Sequence, residues 1–221
     1  MCIRDRQKAA VECPRERICV LAGPGTGKTT VLTHRIARLI RERGVRPEGI
    51  CALTFTRSAA SEMRARIELL APEARGRAAV RTFHSLAYRL LRRLIPDLRV
   101  ISPSEQMRLL RELCPEELDP RWVRREISRA RNRLLDPRDL SPEIGRIWEE
   151  YERRKEGLDY DDLLLLLLEV LREDGRELRE GIAHLLVDEF QDLSPLQYEI
   201  VRELARGREV FVVGDPLQCI Y

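Results

Sequence analysis

The sequence predicts an α/β fold in which a parallel sheet carries helices on both faces and an all-helical subdomain is inserted into the chain. Short apolar runs alternate with segments of helical periodicity at both ends of the sequence, whereas the middle region has no strand-like run. Such alternation is typical of parallel strands, because their crossover connections are usually helices. The 221 residues, of which 43% are hydrophobic and 35% charged, allow a real core beneath a strongly ionic surface.

The first part of the chain predicts three strands, each followed by a helix. In the second of these helices apolar residues recur at helical spacing, and Ser58 is the expected N-cap. The predicted strands are 18–21, 49–56 and 79–82, and the predicted helices are 29–41, 58–70 and 85–94.

The middle of the chain is helical, charged and punctuated by prolines, which predicts an inserted subdomain. Its aromatic residues Trp122, Trp148 and Tyr151 are expected to form a small core of their own. The α/β pattern then returns with a leucine-rich helix that is expected to be buried on all sides. This last part predicts helices at 160–172 and 195–205 and strands at 183–187 and 210–213. The predicted division is therefore 1–95 and 158–221 for the α/β domain, with 96–157 inserted.

Composition narrows the class of protein. A net charge of +3 gives little general attraction to nucleic acid, so any basic surface must be local. The six cysteines form no C-x-x-C pair and are expected to be reduced and mostly buried, as in a cytosolic protein. Three histidines without ligand spacing argue against zinc, and the leucine run 163–168 is too short to span a membrane.

A glycine-rich segment lies between the first predicted strand and the first predicted helix. Its three glycines let successive N–H groups point at a polyphosphate, and the helix N-terminus adds a favourable dipole. Lys28 would supply a charge for the outer phosphates and Thr29 a hydroxyl for Mg²⁺. An ordinary glycine-rich turn is the alternative, which the flanking strand and helix disfavour. The segment reads Ala22, Gly23, Pro24, Gly25, Thr26, Gly27, Lys28 and Thr29, with Ala22 where the motif has its first glycine.

Two further polar segments follow predicted strands. A magnesium-dependent NTPase needs a carboxylate for the metal and a group that orients the attacking water, and Asp188 and Glu189 supply both. Neighbouring residues in a strand point to opposite faces, so the pair can serve one site only if the strand ends there. Gln218, after the last strand, would contact the γ-phosphate. For Asp188 and Glu189 the alternative is an acidic strand end that caps the next helix. For the segment around Gln218 it is a plain β-turn.

Together these segments resemble the UvrD/Rep/PcrA family of superfamily 1 DNA helicases. The resemblance covers nearly the whole chain, and its most specific parts are D-E-F-Q-D and G-D-x-x-Q-x-I-Y. The matching segments, in family order, are Gln7, 22–29, 53–64, 82–84, 187–192 and 214–221.

The resemblance implies a RecA-like P-loop NTPase fold that uses ATP and Mg²⁺. Gln7 would read adenine, and Thr30 stands where the family often has an arginine near the nucleotide. The implied catalytic residues are Lys28, Glu189 and Gln218. Thr29 and Asp188 would hold the metal.

The resemblance also implies a surface for single-stranded DNA. Phe55 and Tyr221 are candidates for stacking on bases, which tolerates any sequence because every base has a π-face. A place in the core is the alternative for Phe55 and Phe83. The implied DNA-binding residues are Thr54, Phe55, Thr56, Arg57, Thr82, Phe83, His84 and Tyr221.

The function implied is that of an ATP-dependent 3′-to-5′ DNA helicase or translocase, acting on single-stranded or 3′-tailed duplex DNA. A cytoplasmic, nucleoid-associated bacterial protein without membrane contact is expected, and the residues leave its oligomeric state open. Family members continue into a second motor domain whose arginines reach the γ-phosphate, so we expect a fragment that hydrolyses ATP weakly or not at all. The alternatives are the motor part of an AddA- or RecB-like helicase–nuclease, a DNA-binding module with an inactive ATP site, and a P-loop ATPase unrelated to DNA.

Overall fold

The computed structural model describes residues 4–215 and 217, and its centre is a five-stranded sheet. Every strand pair is parallel, so all carboxyl ends meet at one edge. The predicted α/β class with a parallel sheet is confirmed. The strands are β1 (Arg17–Leu21), β2 (Ile50–Thr54), β3 (Ala79–Thr82), β4 (His184–Val187) and β5 (Glu209–Gly214), in the order β1-β5-β4-β2-β3.

Helices follow or separate the strands as the sequence predicts, with bounds that differ by one or two residues at most ends. One predicted cap is wrong: α3 is capped by Thr56, whose side chain accepts the Ala59 N–H at 3.0 Å. Ser58 lies inside the first turn, beyond the extended residue that a cap requires. The helices are α1 (Asp5–Glu12), α2 (Lys28–Arg41), α3 (Arg57–Leu70), α4 (Phe83–Leu94), α5 (Pro103–Leu113), α6 (Pro120–Asn132), α7 (Pro142–Arg154), α8 (Tyr160–Asp174), α9 (Arg176–Arg179) and α10 (Pro195–Leu204).

Both faces of the sheet are covered at β2. On β2, Ile50 and Ala52 join one apolar core together with residues of α2 and α3. The intervening residues Cys51 and Leu53 point to the opposite face and are buried as well. Because side chains alternate along a strand, burial of both sets means that neither face meets solvent at β2.

Packing divides the described chain into two compact units. The first contains the sheet and comprises residues 4–86, 175–193, 201–215 and 217. The second comprises residues 87–174 and 194–200 and contains α5, α6, α7 and α8. The domain boundaries that the sequence suggests, at residues 95 and 157, stay a prediction.

The second unit has an apolar core of its own, which includes Trp148 and Tyr151. Trp122 is 41% exposed, so its predicted place in that core is wrong. The next residue on α6, Val123, packs inward instead. The predicted burial of α8 on all sides is also wrong, because Leu165 and Leu166 are only half-buried.

A buried ionic cluster sits beside this core. The Arg131 guanidinium, 2% exposed, lies 2.7 Å from the Asp159 carboxylate and also pairs with Glu152. The Tyr151 hydroxyl donates to the same Asp159 oxygen at 2.9 Å. Burial alone would raise the pKa of Asp159, but Arg131 and a backbone N–H hold it below its ordinary value. The Arg131 charge is therefore what keeps a buried carboxylate ionised.

Four cysteines lie in the described part of the chain, and all are free thiols. Only Cys51 is fully buried, whereas Cys13 and Cys114 are half-buried and Cys19 is exposed on the edge strand β1. The prediction that the cysteines are mostly buried is therefore wrong for these four. Cys2 and Cys219 lie outside the described residues. Within the described ranges every helix is too short or too polar to serve as a membrane span.

We predict that Arg131→Ala lowers the free energy of unfolding by about 3 to 5 kcal/mol, because it removes the principal counter-charge of the buried Asp159 carboxylate. The matched control is Arg129→Ala on the same helix, whose pair with Glu126 is solvent-exposed and should contribute little. Urea unfolding of the two variants and the parent checks this, and equal losses would contradict it.

Candidate active site

The glycine-rich segment forms a loop between the end of β1 and the start of α2. Gly25 and Gly27 have φ values of 68° and 84°, a left-handed backbone that glycine adopts without strain. The Thr26 hydroxyl donates to the Gly23 carbonyl at 2.7 Å and closes the turn. Gly27 is also the N-cap of α2, so the free N–H groups of that helix begin directly at the loop.

Ala22 replaces the first glycine of the motif without backbone strain. Among the described residues other than glycine, only Leu134 and Glu189 have positive φ, so Ala22 needs no glycine-specific conformation. Its N–H donates to the Gly214 carbonyl at 3.0 Å, which continues the pairing of β1 with β5.

Gln7 lies against the loop, as the resemblance implies for a residue near the nucleotide. Its side-chain amide donates to the Thr26 carbonyl at 2.7 Å and accepts the Arg4 N–H at 2.8 Å. A Cβ added at Gly27 would stand 2.7 Å from the Gln7 nitrogen, so the two residues are in close approach. Recognition of adenine by Gln7 stays a prediction.

Thr30, in the first turn of α2, is buried.

Lys28 and Glu189 form the central ion pair of the site. The Lys28 ammonium is 8% exposed and lies 2.9 Å from a Glu189 carboxylate oxygen. Glu189 follows β4 in a left-handed conformation with φ 47° and ψ 49°. Strained backbone of this kind in a residue other than glycine clusters at functional sites. The strand ends at Val187, which lets the two adjacent acids serve one site.

Asp188 is buried beside Thr29, whose hydroxyl donates to it at 3.4 Å. Burial, with the nearby Glu189 charge added, raises the pKa of Asp188 to about 6. The carboxylate thus lacks a full counter-charge, which is the electrostatic condition of a cation site. Carboxylate and hydroxyl oxygens are hard donors of the kind that Mg²⁺ prefers, so this pair of residues fits that ion.

Gln191 belongs to the site although the sequence analysis did not single it out. Its side-chain nitrogen donates to Glu189 at 3.0 Å and to Asp192 at 3.1 Å, and its oxygen accepts the Asp215 N–H at 2.9 Å. In the sequence, the sign of this role is the place of Gln191 in the segment D-E-F-Q-D, between Glu189 and Asp192. Asp215 is buried and one of its carboxylate oxygens has no partner within the described ranges.

The residues implied for DNA binding lie after β2 and β3 but differ in exposure. Thr56 and Arg57 are exposed at the start of α3, whereas Thr54 is buried and Thr82 and His84 are half-buried.

Two of these positions are aromatic. The Phe55 ring is half-buried, with its centroid 6.1 Å from that of Phe83. Phe83 is 2% exposed and is a core side chain in this structure, which favours the alternative given for it above, and its contact with DNA stays a prediction. Contact of the other residues with DNA stays a prediction. Gln218 and Tyr221 lie outside the described residues.

A family model described as the UvrD/REP helicase N-terminal domain matches residues 3–221. An ATP-dependent DNA helicase PcrA from Leuconostoc citreum is 36% identical over 99% of this chain and 33% of its own length. The ATP-dependent DNA helicase PcrA of Bacillus subtilis (strain 168) is 33% identical over 97% of this chain and 33% of its own length. DNA helicase II of Escherichia coli (strain K12) is 36% identical over 99% of this chain and 34% of its own length. The chain thus spans about a third of the length of these curated relatives.

We predict that Gly27→Ala destabilises the protein more than Gly44→Ala. Both residues have positive φ, so alanine costs about 1 to 2 kcal/mol at either position. Only at Gly27 does the added carbon meet a neighbour, the Gln7 side chain, whereas nothing lies within 4 Å at Gly44. Urea unfolding of both variants measures the difference, and an equal loss of stability would contradict the close approach.

Proposed function

This chain belongs to the UvrD/REP helicase family, and we propose that it is the ATP-binding motor portion of an ATP-dependent DNA helicase or translocase. The observation that supports this best is the meeting of Lys28 with Glu189, beside Asp188 and Thr29, at one edge of the sheet. The set combines a phosphate-binding charge, a metal-binding pair and a carboxylate base, which are the groups that hydrolysis of a nucleoside triphosphate needs.

Binding of ATP would begin at the loop 22–29, whose N–H groups and helix dipole favour the phosphates. Lys28 would turn from Glu189 to the outer phosphates, because their charge exceeds that of one carboxylate. Thr29 and Asp188 would hold Mg²⁺, which would supply positive charge to offset the negative charge that develops during phosphoryl transfer. Gln7 would contact adenine.

Release of Lys28 would leave Glu189 free to act as the base. Its carboxylate would accept a proton from a water molecule that attacks the γ-phosphate in line with the leaving oxygen. Gln218 would sense the γ-phosphate. In the family resemblance, arginines of a second motor domain complete the site, and such groups are worth about 10³ to 10⁵ in rate. We therefore expect these 221 residues alone to hydrolyse ATP slowly.

The proposed DNA surface follows β2 and β3, where the exposed Thr56 and Arg57 begin α3. Single-stranded DNA, or the tail of a 3′-tailed duplex, is the proposed partner, with movement in the 3′-to-5′ direction and a cytoplasmic, nucleoid-associated location. Phe55 is the described aromatic residue best suited to stacking, because part of its ring remains accessible.

We predict that Lys28→Ala abolishes binding of a non-hydrolysable ATP analogue in the presence of Mg²⁺. The change removes the ammonium group that would meet the outer phosphates. Lys8→Ala is the matched control, since Lys8 is exposed and pairs with the exposed Glu12 one turn away. Calorimetric titration measures both, with and without oligo(dT). Unchanged affinity in Lys28→Ala would overturn the assignment of the loop.

We predict that Glu189→Gln keeps analogue binding but lowers the rate of ATP hydrolysis by about 10² to 10⁴, the usual contribution of a general base. Single-turnover hydrolysis of radiolabelled ATP with the protein in excess provides the sensitivity that a slow reaction needs. A variant that hydrolyses ATP as fast as the parent would exclude Glu189 as the base.

A further inference from the structure

We infer that Gln191 is a positioning residue that holds the base Glu189 and the turn after β5 at a fixed spacing. This inference rests on the proposed hydrolytic role of Glu189. It adds a residue to which the sequence analysis assigned no role and gives that residue a specific task.

The hydrogen bonds of the Gln191 side chain define its orientation. The amide nitrogen has two N–H groups, and each meets a carboxylate, that of Glu189 at 3.0 Å and that of Asp192 at 3.1 Å. The amide oxygen accepts the Asp215 N–H at 2.9 Å. Reversal of the amide would set its oxygen against two carboxylates and its N–H groups against another N–H. Only one orientation therefore satisfies all three neighbours.

The backbone around Gln191 supports the same task. A Cβ added at Gly214 would lie 2.9 Å from the Gln191 side-chain oxygen, closer than real Cβ contacts allow. Gly214 thus leaves room for the Gln191 side chain beside the end of β5. The contact joins the segment after β4 to the turn after β5, whose strands are neighbours in the sheet.

The task becomes important when nucleotide binds. Among the described residues, the Glu189 carboxylate is contacted by Lys28 at 2.9 Å and by Gln191 at 3.0 Å. Once Lys28 turns to the phosphates, Gln191 is the described side chain that continues to orient the Glu189 carboxylate. Because the same amide accepts the Asp215 N–H, a shift of the backbone directly after β5 would be transmitted to the base.

Gln191 forms a bridge between the Glu189 carboxylate and the Asp215 N–H. Two substitutions at Gln191 distinguish the effects of losing each contact. Gln191→Met keeps the length of the side chain but removes the hydrogen bonds of its amide group. Gln191→Glu keeps an oxygen for the Asp215 N–H but sets a third carboxylate against Glu189 and Asp192. Gly214→Ala displaces Gln191 without altering it, and Gly49→Ala is the matched control, because a Cβ there meets only ordinary contacts at 3.8 Å.

The expected result is a loss of turnover without a loss of binding. Single-turnover hydrolysis of ATP by the full chain should fall about 10- to 100-fold in Gln191→Met and further in Gln191→Glu, as misplacement of a catalytic group predicts. Gly214→Ala should resemble Gln191→Met, and Gly49→Ala should resemble the parent. Affinity for the Mg²⁺ complex of a non-hydrolysable ATP analogue should change less than about 3-fold, because Lys28, Thr29 and Asp188 are intact.

Hydrogen exchange at the Asp215 amide provides a measurement that does not depend on turnover. We expect faster exchange in Gln191→Met and exchange close to that of the parent in Gln191→Glu, which keeps the acceptor. Unchanged exchange in Gln191→Met, or parental hydrolysis in that variant, would overturn the inference. A parent chain that does not bind the analogue would contradict the proposed function, and amide exchange would still decide whether the bridge exists.

Discussion

The common direction of the strands is the constraint on which the rest of the candidate site depends. Because all five strands run parallel, the segments that follow Leu21, Thr54, Thr82, Val187 and Gly214 all begin at the same edge of the sheet. The glycine loop, two carboxylates and Asp215, far apart in the chain, are thereby brought to one edge, where the contacts of Lys28, Thr29 and Gln191 join them. This is the edge at which open α/β sheets place their ligands.

At that edge the balance of charge is set by one buried lysine. Lys28 is paired with Glu189, while Asp188 beside them is buried without a full counter-charge and has a raised pKa. The cluster thus combines oxygen atoms suited to a cation with an ammonium group suited to an anion. The ion pair therefore preserves the site and is also the contact that nucleotide binding would exchange.

The helical unit uses buried charge for a different purpose. Arg131 joins Asp159 to the apolar core around Trp148 and Tyr151, so its contacts connect α6, α7 and the start of α8. Removal of one partner from a buried ionic cluster of this kind is strongly destabilising, because the remaining charge stays desolvated without full compensation.

The sequence by itself determined the features that depend on near neighbours in the chain. The strand–loop–helix around 22–29, the end of β4 before two acids and most helix bounds follow from periodicity, glycine placement and capping chemistry. Only the tertiary structure decided the pairing of Lys28 with Glu189, the bridge made by Gln191, the burial of Phe83 and the exposure of Trp122. These depend on which strands are neighbours and which helix face turns inward, and such choices are made by the packing of residues distant in sequence.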